Sequence, residues 1–309
     1  MPIATVDATG FQLVCSRARF RWVRVSFILA LSKRGGPAPR CQDLPVGTFI
    51  DGVVPPGVCP WVVSYCWSAH LHPFPGSAKL TQLANTLMRL GAKESDVVFV
   101  DYMSLPQGLA VVPAIYQTLN EGVQAKAVGI NGQMVELPDR TQAERRQFGY
   151  ALFETTRLYA FRGGTLPDGQ DVLGCRVLVL PTVDPPEGFP DVGKISKETN
   201  YFCEPARQEQ RSRWGFSKSV SYHLGGWTCA EYAVARKCGT IYNKDDAEVQ
   251  RVATLRTWPD TVQEYADMMS DDAAMRVTFT KKGDRDAVRF NFFKYTHEFN
   301  EQLRPLDLT

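Results

Sequence analysis

The chain has 309 residues, a net charge of +2 and an apolar fraction of 44%, values of an ordinary globular protein that can bury one large α/β core or two small ones. Acidic and basic residues are spread along it with no basic stripe, which argues against a nucleic-acid partner. Eight cysteines are scattered without a C-x-x-C pair, the usage of reduced thiols in a cytoplasmic protein rather than of a disulfide scaffold or a zinc site.

Residues 1–60 read as an N-terminal extension packed on the main domain, with an apolar patch at 23–31 and a proline- and glycine-rich stretch at 35–60. Residues 17–32 place basic side chains before apolar ones, but the apolar core is only about eight residues long and begins far from Met1, so no signal peptide is expected. No run approaches the roughly 20 apolar residues of a membrane span. The main domain is expected over 61–309. Its segments 61–67 (WVVSYCW) and 97–107 (VVFVDYMSLPQ) are short apolar runs that end in polar residues and a turn, the pattern of buried parallel strands. Between them Leu80, Leu83, Leu87 and Leu90 recur at helical spacing, Ser77 is a candidate cap and Gly91 a candidate stop. The strand, helix, strand unit closes at Asp101 with a right-handed parallel crossover.

The pattern weakens over an insertion at about 113–140, where Asn131-Gly132 marks a hairpin turn. Thr141 and Glu144 form a capping box for a helix whose buried face is expected at Phe148, Leu152, Phe153, Thr156 and Tyr159. The run CRVLVL at 175–180 reads as a third buried strand, and 181–216 as a long polar insertion of the kind found in lids and binding loops. Residues 239–242 read as a further short strand, 248–269 as helix, 275–280 as strand and 284–303 as a closing helix. Five strands interleaved with helices describe an α/β, flavodoxin-like, mostly parallel sheet with helices on both faces.

In open parallel sheets ligands bind beyond the carboxyl ends of the strands. That places Ser64, Tyr65, Trp67, Asp101 and Gln107 where a site would form. The segment GGWTCAEYAVARKC brings a second element: in a helix, Trp227 and Glu231 lie on one face four residues apart, setting a flat ring beside a carboxylate, a pair able to hold a sugar. Taken in order, S-Y-C-W at 64–67, D-x-x-S-L-x-Q at 101–107 and G-W-T-x-x-E at 226–231 resemble the three motifs of the fungal heterokaryon-incompatibility (HET) domain over residues 61–242. Departures are Ser68 for a glycine, Ser104 for a cysteine and a glycine for the arginine before the tryptophan.

That family is related to TIR domains, in which a W-x-x-x-E helix supplies the catalytic glutamate of NAD-cleaving members. The resemblance implies a TIR-like fold, NAD or a related nucleotide as substrate with no separate cofactor, self-association or homotypic TIR-like partners, and a setting in cell-death or immune-type signalling. By its match to the TIR position, Glu231 is the candidate catalytic residue. Ser64, Tyr65, Trp67, Asp101, Gln107 and Trp227 are the candidate substrate-binding residues. Breaking the nicotinamide–ribose bond creates an oxocarbenium-like centre that a carboxylate stabilises, and the dipole of the helix start favours the ionised form of Glu231.

Other readings stay open. Trp227 packs under the site or stacks on ligand. Asp101 contacts ligand or caps the following turn, and Gln107 gates ligand or mediates assembly. A non-catalytic TIR-like interaction module is the alternative function. A nucleoside deoxyribosyltransferase-like enzyme is a third, and requires a second acidic group beside Glu231. His70 and His72 lack further ligands at zinc spacing. Cys66 or Cys229 as nucleophile requires a base, for which His223 is the nearest histidine to Cys229 in sequence.

Overall fold

The computed structural model describes residues 7–35, 38–67, 73–74, 77–108, 110–113, 126–128, 134–137, 139–181, 222–270, 273, 277–279 and 284–303. In it the apolar runs become the centre of an α/β fold. Strands β1 (Arg21–Arg24), β2 (Phe49–Asp51), β3 (Pro60–Tyr65), β4 (Val97–Phe99) and β10 (Arg176–Leu180) form one sheet in the order β10-β3-β4-β1-β2. β3 is parallel to both β10 and β4. β1 runs antiparallel to β4 and to β2, so it alone is reversed and the sheet is mixed but mostly parallel. Two of its strands come from the segment before residue 60, whose residues 17–32 hold the end of helix Ala8–Ala18, β1 and most of helix Val25–Arg34.

Alternation along β3 sends Val62 to one face of the sheet, with Trp22, Phe99, Val177 and Val179. It sends Trp61, Val63 and Tyr65 to the other, with Val23, Val98, Leu178 and Leu180. Helices Ala8–Ala18, Gln142–Ala160 and Gly226–Cys238 cover the first face; helices Val25–Arg34 and Ser77–Arg89 cover the second. Each large apolar side chain taken fully out of water, such as Trp61 or Leu83, contributes about 1.5–3 kcal/mol. Gly91, at φ +76°, turns the chain after Ser77–Arg89 as expected.

Two smaller sheets lie outside this core. β5 (Ala110–Pro113), β7 (Met134–Leu137) and β6 (Lys126–Val128) are antiparallel in that order. β6 and β7 flank Asn131-Gly132, a dipeptide outside the described residues. β8 (Gly163–Thr165) and β9 (Asp171–Leu173) form a hairpin.

Several expectations require correction. Residues 239–242 do not form a strand: Ile241 makes one parallel bridge to Val177. The ladder then stops because the Asn243 side chain bonds both the N–H and the carbonyl of Val179, each at 2.9 Å. Of the strand expected at 275–280, the described part is a bridge from Thr278 to Gly225, away from the sheet. The helix expected over 248–269 is two, Ala247–Thr254 and Val262–Asp267. Pro259 disfavours helical geometry at the residue before it, and Thr261 and Glu264 start the second helix with a capping box.

Helix Gln142–Ala160 has its expected capping box, but its buried face is rotated to Ala151, Thr155, Leu158 and Tyr159. Phe153 is 39% exposed and meets Phe290 of helix Asp284–Leu303 edge to face at 5.6 Å. Phe153 thus serves a flank shared with that second helix, where the Leu152 carbonyl also accepts from Asn291, whereas Phe148 stays partly buried against the core of the first face, under the Arg140 guanidinium at 3.5 Å. Among the described residues, no helix is long and apolar enough to cross a membrane.

Candidate functional site

Ser64 and Tyr65 end β3 pointing to opposite faces, and each bonds a carboxyl group. Ser64, fully buried, donates from Oγ to Oε2 of Glu231 at 2.5 Å and shares a 2.6 Å bond with the Tyr222 hydroxyl. Tyr65 donates its hydroxyl to Oδ1 of Asp101, the second residue after β4. The Tyr102 N–H donates to the same oxygen at 2.6 Å, and the Trp67 indole N–H donates to the Asp101 carboxyl. Two acidic side chains therefore stand at the carboxyl ends of adjacent parallel strands.

The helix carrying Glu231 is set by local features of the sequence. Gly225 is extended and offers no side-chain cap. The Gly226 N–H instead donates to the Thr278 carbonyl at 2.8 Å, and Thr228 Oγ1 donates to the Tyr222 carbonyl at 2.5 Å. A Cβ on Gly226 would come within 2.0 Å of the Phe279 ring, so only glycine permits this approach. At the other end Gly239 adopts the left-handed conformation and closes the helix.

Glu231 is partly exposed as a residue, while its carboxyl is packed among protein groups. Burial pushes its pKa up to about 8; the Asp101 carboxyl adds to the rise, and the bonds from Ser64 and Tyr159 oppose it. The expected preference for the ionised form is thereby reversed. Glu231 lies beyond the first turn of Gly226–Cys238, where the dipole fades, and loss of solvation dominates. Burial also raises Asp101, against the bonds from Tyr65, Tyr102 and Trp67. The hydroxyls of Tyr159 and Tyr222 are raised well above the usual phenol range, first by burial and then by the charge of Glu231, and so stay protonated donors.

A cleft adjoins Glu231, walled by Thr155, Tyr159, Trp227, Ala230, Asn291 and Phe292. Trp227, half-buried against the core, forms part of its wall. The cavity measures about 20 Å³, room for about one water molecule. The chain matches no protein-family model, no curated protein and no solved structure.

The remaining candidates fall into place around this centre. Gln107 is buried and spends its amide on the carbonyls of Leu105, at 2.7 Å, and Asp101, at 3.2 Å. Gln42 pairs with its backbone in both directions. It therefore shapes the turn after Asp101. Trp67 is half-buried, edge-on to Tyr102. Tyr65 packs on Phe74, with the Lys79 ammonium 5.5 Å from its ring.

Burial pushes the thiols of Cys66 and Cys229 up to about 12, and Cys229 Sγ bonds the backbone carbonyl of His223 rather than its imidazole. Neither is an activated nucleophile. Ser68, His70, His72 and the insertion at 182–216 lie outside the described residues. Tyr159 and Tyr222 were not among the sequence candidates: Tyr159 reads only as one more apolar position on a helix, while Tyr222, just ahead of Gly225-Gly226-Trp227, was the one detectable signal.

Proposed function

We propose that this protein is a TIR/HET-like signalling domain that cleaves the nicotinamide–ribose bond of NAD, with Glu231 stabilising the positive charge that develops on the ribose. The observation that carries the reading is the enclosure of the Glu231 carboxyl by Ser64, Tyr159 and Tyr222 beside a strand end. A structural surface glutamate would face water. An enclosed carboxylate acts through a low local dielectric, where stabilisation of a nearby cationic centre is strongest. Nicotinamide departs as a neutral base, so one carboxylate suffices for this step once it ionises, as the pH rises through about 8.

The strand order supports a flavodoxin-like, TIR-like reading of the fold. Counting from β3, the second parallel strand, β4, lies on one side; the third, β10, and then the Ile241 bridge lie on the other. The direction of winding reverses at β3, and ligands of such sheets sit at that reversal. β1 and β2, beyond β4, are additions to the pattern. The setting proposed is cytoplasmic cell-death or immune-type signalling, through association with like domains.

One observation favours the second reading, a non-catalytic interaction module. The cleft is far smaller than the hundreds of cubic ångströms of an ordinary ligand pocket, so catalysis requires it to open. Clustering of the protein is the proposed cause of opening. Nicotinamide release from NAD by the purified protein, dispersed and artificially clustered, tests this: release supports the glycohydrolase, and none in either state supports the module.

A further inference from the structure

We infer that Asn291 and Glu231 hold a single water molecule between them in the cleft, and that this water is the one that attacks C1′ of the ribose. The inference rests on the proposed glycohydrolase and adds to it the second reactant and a positioning residue. Its basis is an unpaired buried acceptor. Asn291 is 4% exposed, and its Oδ1 accepts no hydrogen bond among the described residues, a state that buried polar atoms rarely keep without a water or a ligand. The amide cannot turn over to relieve it. Its Nδ2 donates to the Leu152 carbonyl at 2.8 Å, and a carbonyl only accepts, so the oxygen is the atom left for the cleft that Asn291 and Glu231 both wall.

Water is the ligand that fits. The cavity of about 20 Å³ has room for about one molecule, and a buried water takes about two to four polar partners. Asn291 Oδ1 is one. The Glu231 carboxyl is another: it accepts from Ser64 and Tyr159, which leaves lone pairs on its two oxygens. The apolar side chains of Trp227, Val288 and Phe292 wall the same cleft and confine the water to these partners.

Two acceptors also orient the water. With Glu231 ionised, one O–H points to Asn291 and the other to the carboxylate, which turns the oxygen lone pairs away from both, toward a ribose bound against Glu231. Asn291 is fastened to Leu152 of helix Gln142–Ala160, which also carries Tyr159, a donor to Glu231. Both acceptors are thus tied to one helix, and opening of the cleft to NAD leaves the water site assembled.

The step balances. The water oxygen bonds to C1′ as the bond from C1′ to the nicotinamide nitrogen breaks, its electron pair going to the ring and neutralising the pyridinium. One water proton passes to Glu231 and from there to solvent, giving ADP-ribose, nicotinamide and a proton. Holding the water in place favours it over any other nucleophile that reaches the oxocarbenium-like ribose.

The test is the partition of NAD between ADP-ribose and methyl ADP-ribose when the clustered full-length protein turns over at low methanol, beside Asn291→Leu, Asn291→Ala and Lys294→Ala, each assessed for folding by its thermal melt. Lys294→Ala breaks the neighbouring ion pair between the same two helices and touches no wall of the cleft, so it reports a purely structural loss. Wild type is expected to form less methyl ADP-ribose than the mole fraction of methanol, and Lys294→Ala to match it. A folded Asn291 variant is expected to raise the methyl share about 10-fold, the worth of one hydrogen bond to the water. A wild-type share equal to the mole fraction overturns the inference, as does a share unchanged in a folded Asn291 variant or raised equally in Lys294→Ala; nicotinamide release in those cases leaves the glycohydrolase standing. Should neither Asn291 variant fold, the wild-type share decides alone. No nicotinamide release by wild type overturns both.

Discussion

Ser64 Oγ lies 2.5 Å from a carboxylate oxygen of Glu231, a contact between residues 167 positions apart. The serine is fully buried and shares its other bond with Tyr222, so its hydroxyl holds the glutamate in one place and opposes the rise in its pKa. Ser64→Ala removes the donor and leaves a buried carboxyl less satisfied. The expected outcome is a loss of about 1–3 kcal/mol in urea melts and a shift of the nicotinamide-release profile to higher pH. An unchanged profile would separate Ser64 from Glu231.

The raised pKa of Glu231 links stability to pH. The carboxyl titrates at about 8 in the folded chain and at about 4.3 when unfolded. Between those values the folded chain binds the extra proton, so the contribution is fully present below about pH 4.3, falls as pH rises and is gone above about pH 8. In Glu231→Gln the loss is absent. Denaturant melts are expected to show the variant and wild type alike near pH 4, and the variant the more stable at pH 9, by on the order of a few kcal/mol.

Gly226→Ala tests the helix entry. The added methyl meets the Phe279 ring at 2.0 Å, so the ring or the helix start must move, at a cost of about 1–3 kcal/mol. Thermal melts are expected to show that loss, with a further drop in activity because Trp227 and Glu231 follow directly on the same helix. A variant as stable as wild type would show that the Phe279 ring moves without cost.

Cys229 is buried with its thiol pushed up to about 12. Peptide mapping after iodoacetamide treatment of the native protein at pH 8 is expected to leave it unmodified, and Cys229→Ala to retain NAD cleavage if the fold tolerates the cavity. Rapid native-state labelling at Cys229 would contradict the burial that sets this thiol.

The sheet was legible where burial is uniform. WVVSYCW and CRVLVL are apolar on both faces, and they became β3 and β10 because such runs fit only between two layers of helices. β1 was not legible: RWVR has two apolar residues between arginines, and its place beside β4 depends on long-range pairing that no local pattern encodes. The further strand at 239–242 failed for a related reason, since Asn243 imitates a ladder partner with its side chain.

Residue types and motif order pointed to Ser64, Tyr65, Asp101 and Glu231, which the fold joins as two hydrogen-bonded pairs, whereas the sign of the electrostatics escaped them. A helix start predicts an ionised glutamate, and only the packing of Tyr159 and Tyr222 around it reveals that burial wins. The bond from Tyr65 to Asp101 likewise needs the parallel pairing of β3 with β4.

The most direct measurement is nicotinamide release from NAD by clustered wild-type protein beside clustered Glu231→Gln, each first shown to be folded by its thermal melt. The variant preserves the shape of the side chain and removes its charge. Release by wild type that falls about 100-fold or more in the variant is the predicted result; release that persists in the folded variant, or is absent from folded, clustered wild type, would contradict the role assigned to Glu231.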